Sequence, residues 1–197
     1  MTIDQITKKI NTRKVGIAGC GGLGSNCAVA LARVGIGTLV IADFDVVSRS
    51  NLNRQYYFSD QIGMKKTEAL TDNIQRINPD VRIISHAIRL TKDNIPLVFA
   101  DCEVIVEAFD LADQKGMIIE TISTEMPAVP LVVGLGMAGW GMNDSIHCRK
   151  ADNIYICGDE ISEIGPEMPP MAPRVGMVAN MQANMVMEIL LNSEMAK

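Results

Sequence analysis

The sequence predicts an α/β fold: a Rossmann-like, mostly parallel sheet with helices on both faces and antiparallel edge strands near the C-terminus. Three observations predict it. Residues 14–45, KVGIAGCGGLGSNCAVALARVGIGTLVIADFD, read as strand, tight glycine turn, helix and strand, the order of a nucleotide-binding βαβ unit. Further along, almost wholly apolar runs at 103–108 and 130–135 alternate with helical segments, as in a parallel sheet covered on both faces. Near the end, 145–149 and 153–157 are short alternating runs suited to a sheet edge, where they are expected to pair antiparallel.

The elements follow in order. Residues 2–13 have Ile3, Ile6 and Ile10 on one helical face, expected to cover the bottom or edge of the sheet or to meet another subunit. A first strand ends at Ala18. In the turn, Gly19 permits the sharp bend and Gly21, with Gly22 beside it, lets backbone approach a phosphate. Gly24 lets the following helix lie against the strand. That helix runs through Val34, and its N-terminus offers free N–H groups to an anion. The second strand, 39–42, delivers Asp43 to its carboxyl end, where a carboxylate can accept ribose hydroxyls. The polar segment 46–55 comes next, beyond the strand ends where ligands bind in open α/β sheets.

Gly63-Met64-Lys65-Lys66 leads into a helix over 67–77 with an apolar stripe of Leu70, Ile74 and Ile77, closed by Asn78-Pro79. A third strand is expected at 81–85, a short helix at 94–100, and a fourth strand at 103–108 that closes on Phe109-Asp110. A helix at 111–124 precedes Pro127 and a fifth strand at 130–135. The stretch 158–174 holds four prolines and is too long for mere connection; loops of that length are functional or mobile. The closing helix, 175–191, carries Val178, Met181, Met185 and Ile189 as one stripe, broadened by Met177, Val186 and Leu190. A helix apolar on that much of its surface is covered on more than one side, which predicts a homodimer.

Composition sets limits. The chain has 197 residues, 48% of them hydrophobic, which suits one domain spanning 1–197. A net charge of −5 argues against a general nucleic-acid surface. No run of eighteen apolar residues exists, so no membrane span is expected. The N-terminus has no apolar signal-peptide core, so a cytoplasmic location and reduced thiols are expected. The five cysteines include no C-x-x-C pair, and no zinc is expected.

The polar residues at the strand ends form a set: Asp43, Asp45, Asn51, Arg54, Gln55, Lys66 and Asp110. Cations gathered over a glycine turn suit a nucleotide triphosphate. Arg54 can bind phosphate oxygens bidentately and Lys66 supplies a point charge. Asp110 could hold Mg²⁺, which takes one or two carboxylates plus phosphate oxygens. Singly, Arg54 and Lys66 would read as solvated surface charge.

These motifs carry a family resemblance. G-x-G-G-L-G-S, then D-F-D-x-V-x-x-S-N-L-x-R-Q, then G-x-x-K at a helix start and a strand ending in Asp, resemble the ThiF/MoeB family, the bacterial branch of the ubiquitin-activating enzyme superfamily. The resemblance covers about 14–137 and is most like the short ThiF proteins of thiamine biosynthesis. It implies MgATP-dependent adenylation of the C-terminal Gly-Gly carboxylate of a small ubiquitin-fold sulfur carrier, ThiS-like, with release of pyrophosphate. It gives the ribose to Asp43, the phosphates to Asn51, Arg54, Gln55 and Lys66 (with Lys65 as an alternative to Lys66), and magnesium to Asp110. It implies a dimer. The chain departs from the family in lacking two C-x-x-C zinc pairs and a longer N-terminal segment with an arginine, for which Arg13 or Arg49 could substitute. Cys157 is the candidate sulfur-transfer thiol; its other reading is a small apolar residue ending an edge strand. Two further readings of the chain are an NAD-dependent oxidoreductase and a non-catalytic relative that binds nucleotide or carrier.

Overall fold

A computed structural model describes residues 1–192. Seven strands form one sheet: β1 (Lys14–Ala18), β2 (Thr38–Ala42), β3 (Arg82–His86), β4 (Val104–Glu107), β5 (Leu131–Gly134), β6 (His147–Ala151) and β7 (Ile154–Gly158). Their order is β3-β2-β1-β4-β5-β7-β6. From β1 the chain winds outward to β2 and β3, then returns to place β4 on the other side of β1. That reversal opens a crevice at the carboxyl ends of β1 and β4, where open α/β sheets bind ligands. β6 and β7 pair antiparallel at the sheet edge, as the sequence predicts, and β7 joins the rest of the sheet by running parallel to β5.

Among the described residues six α-helices accompany the sheet: α1 (Ile3–Ile10), α2 (Gly22–Arg33), α3 (Lys66–Ile77), α4 (Ile95–Val98), α5 (Ala112–Glu125) and α6 (Ala172–Asn192). Strand side chains alternate between two core layers. Val15, Ile17, Leu39, Ile41, Val104 and Val106 face the layer that α2, α3 and α6 close. Val40, Ile105, Leu131 and Val133 face the layer that α4 and α5 close with Phe99 and Ile118. In β1, Gly16 makes room for Phe99, whose ring would lie 2.6 Å from an added Cβ.

α1 starts on a capping box between Thr2 and Gln5 and buries only Ile10, while Ile3 stays exposed. The isoleucine face thus meets the core through buried Ile10 and half-buried Ile6. α6 begins three residues earlier than the sequence pattern suggests, with Pro173 in its first turn, where a missing N–H costs nothing. Its buried face is Val175, Val178, Ala179, Ala183, Val186 and Leu190, packed on α2 and the sheet. Met181, Met185 and Ile189, expected on that stripe, are half-buried at its flank. No helix among the described residues is long and apolar enough to cross a membrane.

Candidate nucleotide site

A cavity of about 300 Å³ lies at the carboxyl ends of β1, β2 and β4. Its floor is the glycine turn. Gly19 has φ +97, and an added Cβ would meet the Ala108 carbonyl at 2.8 Å. The turn is wired to β2: the Gly19 amide donates to Ala42 O (2.9 Å) and the Cys20 amide to Asp43 Oδ2 (2.6 Å). The first hydrogen bond of α2 is from Ser25 N to Gly21 O, so the amides of residues 21–24 precede the helical ladder. A helix start with such amides and its positive dipole end suits an anion.

One half of the cavity is polar. Gly21, Gly22, Asp43, Asp45, Arg54, Gln55, Lys66 and Asp110 all line it. A short turn sets Arg54 in place. In this turn, Arg49–Asn51, Asn51 Oδ1 accepts the Ser48 amide (3.0 Å), and the Asn51 carbonyl accepts the amides of Arg54 and Gln55. Arg54 packs over Gly22 and donates to Ser50 O (3.1 Å) and Asn53 Oδ1 (2.8 Å). Gln55 is 9% exposed, and its Oε1 is buried without a protein partner. An orphaned buried acceptor on a cavity wall calls for a polar ligand or water.

Lys66 opens α3, where its amide donates to Asp45 O (2.9 Å). The residue is 6% exposed and its Nζ lies 2.8 Å from Asp45 Oδ2. Lys65 points elsewhere, pairing with Glu68 in solvent. The structure thus brings Lys66, and not Lys65, to the cavity.

The other half is apolar: Ala42, Phe44, Ile88, Leu90, Ala108 and Leu111, with Gln114 among them. Arg89 stacks on Phe44, with Cζ 3.9 Å from the ring centroid, and fixes that wall. Met137, Ile164, Pro170 and Val175 close the cavity from the C-terminal third.

Three sequence-predicted residues stand outside this lining. Gly24 serves packing, since an added Cβ would fall 1.8 Å from Gly19 O. Asn51 caps the turn that presents Arg54 and Gln55 and does not line the cavity. Cys157 is fully buried in the core, 3.1 Å from Cys148 Sγ across the β6–β7 pair. Burial, helped by the Cys148 thiol, pushes its pKa well up and keeps it protonated. A sulfur-transfer role for Cys157 is therefore corrected to the plainer reading, because a nucleophilic thiol needs exposure and a lowered pKa. Arg13, at the amino end of β1, pairs with Glu103 on the far side of the sheet from the cavity.

Sequence reasoning missed several groups. Glu107 is fully buried; burial raises its pKa, and the Lys115 ammonium, 2.9 Å from both carboxylate oxygens, opposes the rise. Glu107 also accepts the Phe109 amide (2.6 Å), and Lys115 reaches Gly134 O (2.8 Å). This pair shapes the loop that carries Asp110. A carboxylate inside the apolar run V-I-V-E-A was the available signal. Tyr57 is also buried, its hydroxyl donating to Cys20 O (2.7 Å).

Asp110 is exposed at the cavity lip, and no cluster of three or more metal-ligating side chains occurs among the described residues. An exposed carboxylate on the cavity lip suits Mg²⁺, which takes few protein ligands.

Comparison with known proteins follows this geometry. The model of the ThiF family matches residues 2–197. The chain is 29% identical over 195 residues to "Adenylyltransferase and sulfurtransferase MOCS3" of Caenorhabditis briggsae, covering 92% of this chain and 46% of that protein. It is 30% identical over 182 residues to the molybdopterin-synthase adenylyltransferase of Salmonella typhimurium, covering 90% of this chain and 72% of that one. The chain therefore spans about half the length of the first relative. Among solved structures, the E. coli tRNA N6-threonylcarbamoyladenosine dehydratase TcdA in complex with ATP superposes with a TM-score of 0.88 at 19% identity, over 98% of this chain and 92% of that one. At that identity the likeness speaks for the fold.

Proposed function

The chain belongs to the ThiF family, and from that premise we propose that residues 1–197 act as one ATP-dependent adenylyltransferase domain. Its substrate is the C-terminal Gly-Gly carboxylate of a small ubiquitin-fold sulfur carrier of the ThiS type, as in thiazole formation for thiamine, and two copies form a homodimer. One observation carries the reading. Arg54 and Lys66 line the same cavity as a glycine turn whose amides precede the helical ladder. Both relatives compared above are named as adenylyltransferases.

The residues divide the work. The apolar half takes the adenine ring. Asp43 holds the Cys20 and Asp45 amides, one on each oxygen, and offers its remaining lone pairs to the ribose hydroxyls. The turn amides, Arg54 and Lys66 bind the phosphates. Asp110 would hold Mg²⁺, which neutralises phosphate charge when bound. The attacking carboxylate is already ionised near neutral pH, so no general base is required. The obstacle is repulsion between that anion and the triphosphate. Arg54 and Lys66, fixed by their backbone contacts before substrate arrives, stabilise the charge that develops as pyrophosphate leaves.

Exchange of labelled pyrophosphate into ATP, with and without candidate carriers, tests the proposal. Exchange that depends on a carrier with a free Gly-Gly terminus is the expected result. Tighter binding of NAD than of MgATP, or no exchange with any carrier, overturns it.

A further inference from the structure

Tyr57 lies outside the cavity lining but holds the glycine turn from behind. It is 6% exposed, its ring sits in the core layer under α2 and α3, and its hydroxyl donates to Cys20 O at 2.7 Å. The same hydroxyl lies 3.3 Å from the carbonyl of Lys66. Burial pushes the phenol pKa well up, so it stays a donor.

The Cys20 carbonyl and the Gly21 amide belong to one peptide unit. In a planar trans peptide they point in opposite directions. A carbonyl held toward Tyr57 therefore turns the Gly21 N–H away from Tyr57, toward the cavity that Gly21 lines. Upstream, the amides of Gly19 and Cys20 are already spent on Ala42 and Asp43. Gly21 is the first amide of the turn left for a ligand. Glycine tolerates either orientation of the peptide that precedes it, so the sequence alone does not fix this one.

We propose that Tyr57 is a positioning residue: by holding the Cys20 carbonyl, and with it the start of α3, it presets the Gly21 amide to receive a phosphate of the bound nucleotide. The proposal rests on the ATP reading above and adds a residue to it. Without the hydroxyl, the buried carbonyl loses its donor and the 20–21 peptide can rotate to find another. The cradle then has to be ordered when the phosphate arrives.

The test is calorimetric titration of the full chain and of Tyr57→Phe with inorganic pyrophosphate, ATP and adenosine, with thermal unfolding alongside. The Phe variant keeps the ring and removes only the donor. The expected result is a loss of about tenfold in affinity for pyrophosphate and for ATP, the scale of one hydrogen bond. Adenosine affinity, which reports on the apolar half and on an intact fold, should not change. Equal pyrophosphate affinity in the two proteins overturns the role of Tyr57 and leaves the ATP reading standing. A parallel loss for adenosine also overturns it, because the effect would then be general loosening. A wild-type chain that binds neither pyrophosphate nor ATP overturns both.

Discussion

Lys65 pairs with Glu68 in solvent, 3.1 Å away, while Lys66, one residue on, is buried beside Asp45 and faces the cavity. Position in α3 separates them: Lys65 is its cap residue and Lys66 its first turn, tied to the strand end by the bond to Asp45 O. Lys66→Ala is expected to cut pyrophosphate exchange by about 10²-fold, the scale of one preorganised charge in a closed site. Lys65→Ala should stay within about twofold, as surface changes do. Equal losses in the two variants would reject the assignment. Arg54, Gln55 and Lys66 can be placed beside the cavity from the sequence because they follow the second strand and open the next helix, beyond the carboxyl ends of the strands. Tyr57 and Lys115 are not legible, because their partners, Cys20 and Glu107, are brought to them only by tertiary packing. Cys157 misleads for a related reason: its place before a glycine and a loop suggests exposure, but strand alternation turns it into the core.

Periodicity finds nearly every element to within a few residues, since buried strands and amphipathic helices differ in period. It does not give the order of strands, so it finds the antiparallel pair β6–β7 but not that β7 joins the sheet parallel to β5. Nor does it show how the long loop after β7 is held. Asp159 and Arg174 are both buried and form an ion pair. Arg174 also donates to the carbonyls of Gly141 and Met142 and to the Ser145 hydroxyl. Asp159 accepts the amides of Ile161 and Ser162. The pair therefore ties residues 141–145 and the start of the long loop to the start of α6, next to the cavity-lining Ile164 and Val175. Burial pushes the Asp159 carboxyl up, but the Ser162 and Ile161 amides, the Ser162 hydroxyl and Arg174 outweigh it and hold the pKa at about 2. A folded pKa below the unfolded one gives stability that is whole above the unfolded value of about 3.9 and is lost as pH falls through about 2. Its size is about 2 kcal/mol. Asp159→Asn should be less stable at neutral pH, and the gap from wild type should narrow by about that amount between pH 5 and pH 2 in urea unfolding. A gap that does not depend on pH would place the stabilisation elsewhere.

At the scale of the molecule, the question is what covers the apolar surface that one chain leaves open. The sequence points to α6, but within one chain α2 and the sheet already bury its main face, and Met181, Met185 and Ile189 remain only half-exposed at the flank. Other large apolar side chains are more exposed: Trp140 is 68% and Ile161 84% exposed, with Met142 and Ile164 close to them in sequence. An exposed apolar patch built from such side chains would mark an interaction site. We propose that a second copy covers them, because closed two-fold pairing is the commonest assembly and needs only one self-complementary patch. Sedimentation equilibrium at micromolar concentration should give twice the 21.4 kDa chain mass, and Ile161→Asp, which changes no cavity-lining residue, should shift the equilibrium toward the single chain. A dimer that survives Ile161→Asp and Trp140→Asp together would return the contact to the methionine flank of α6. One species at 21.4 kDa, independent of concentration, would overturn the dimer itself.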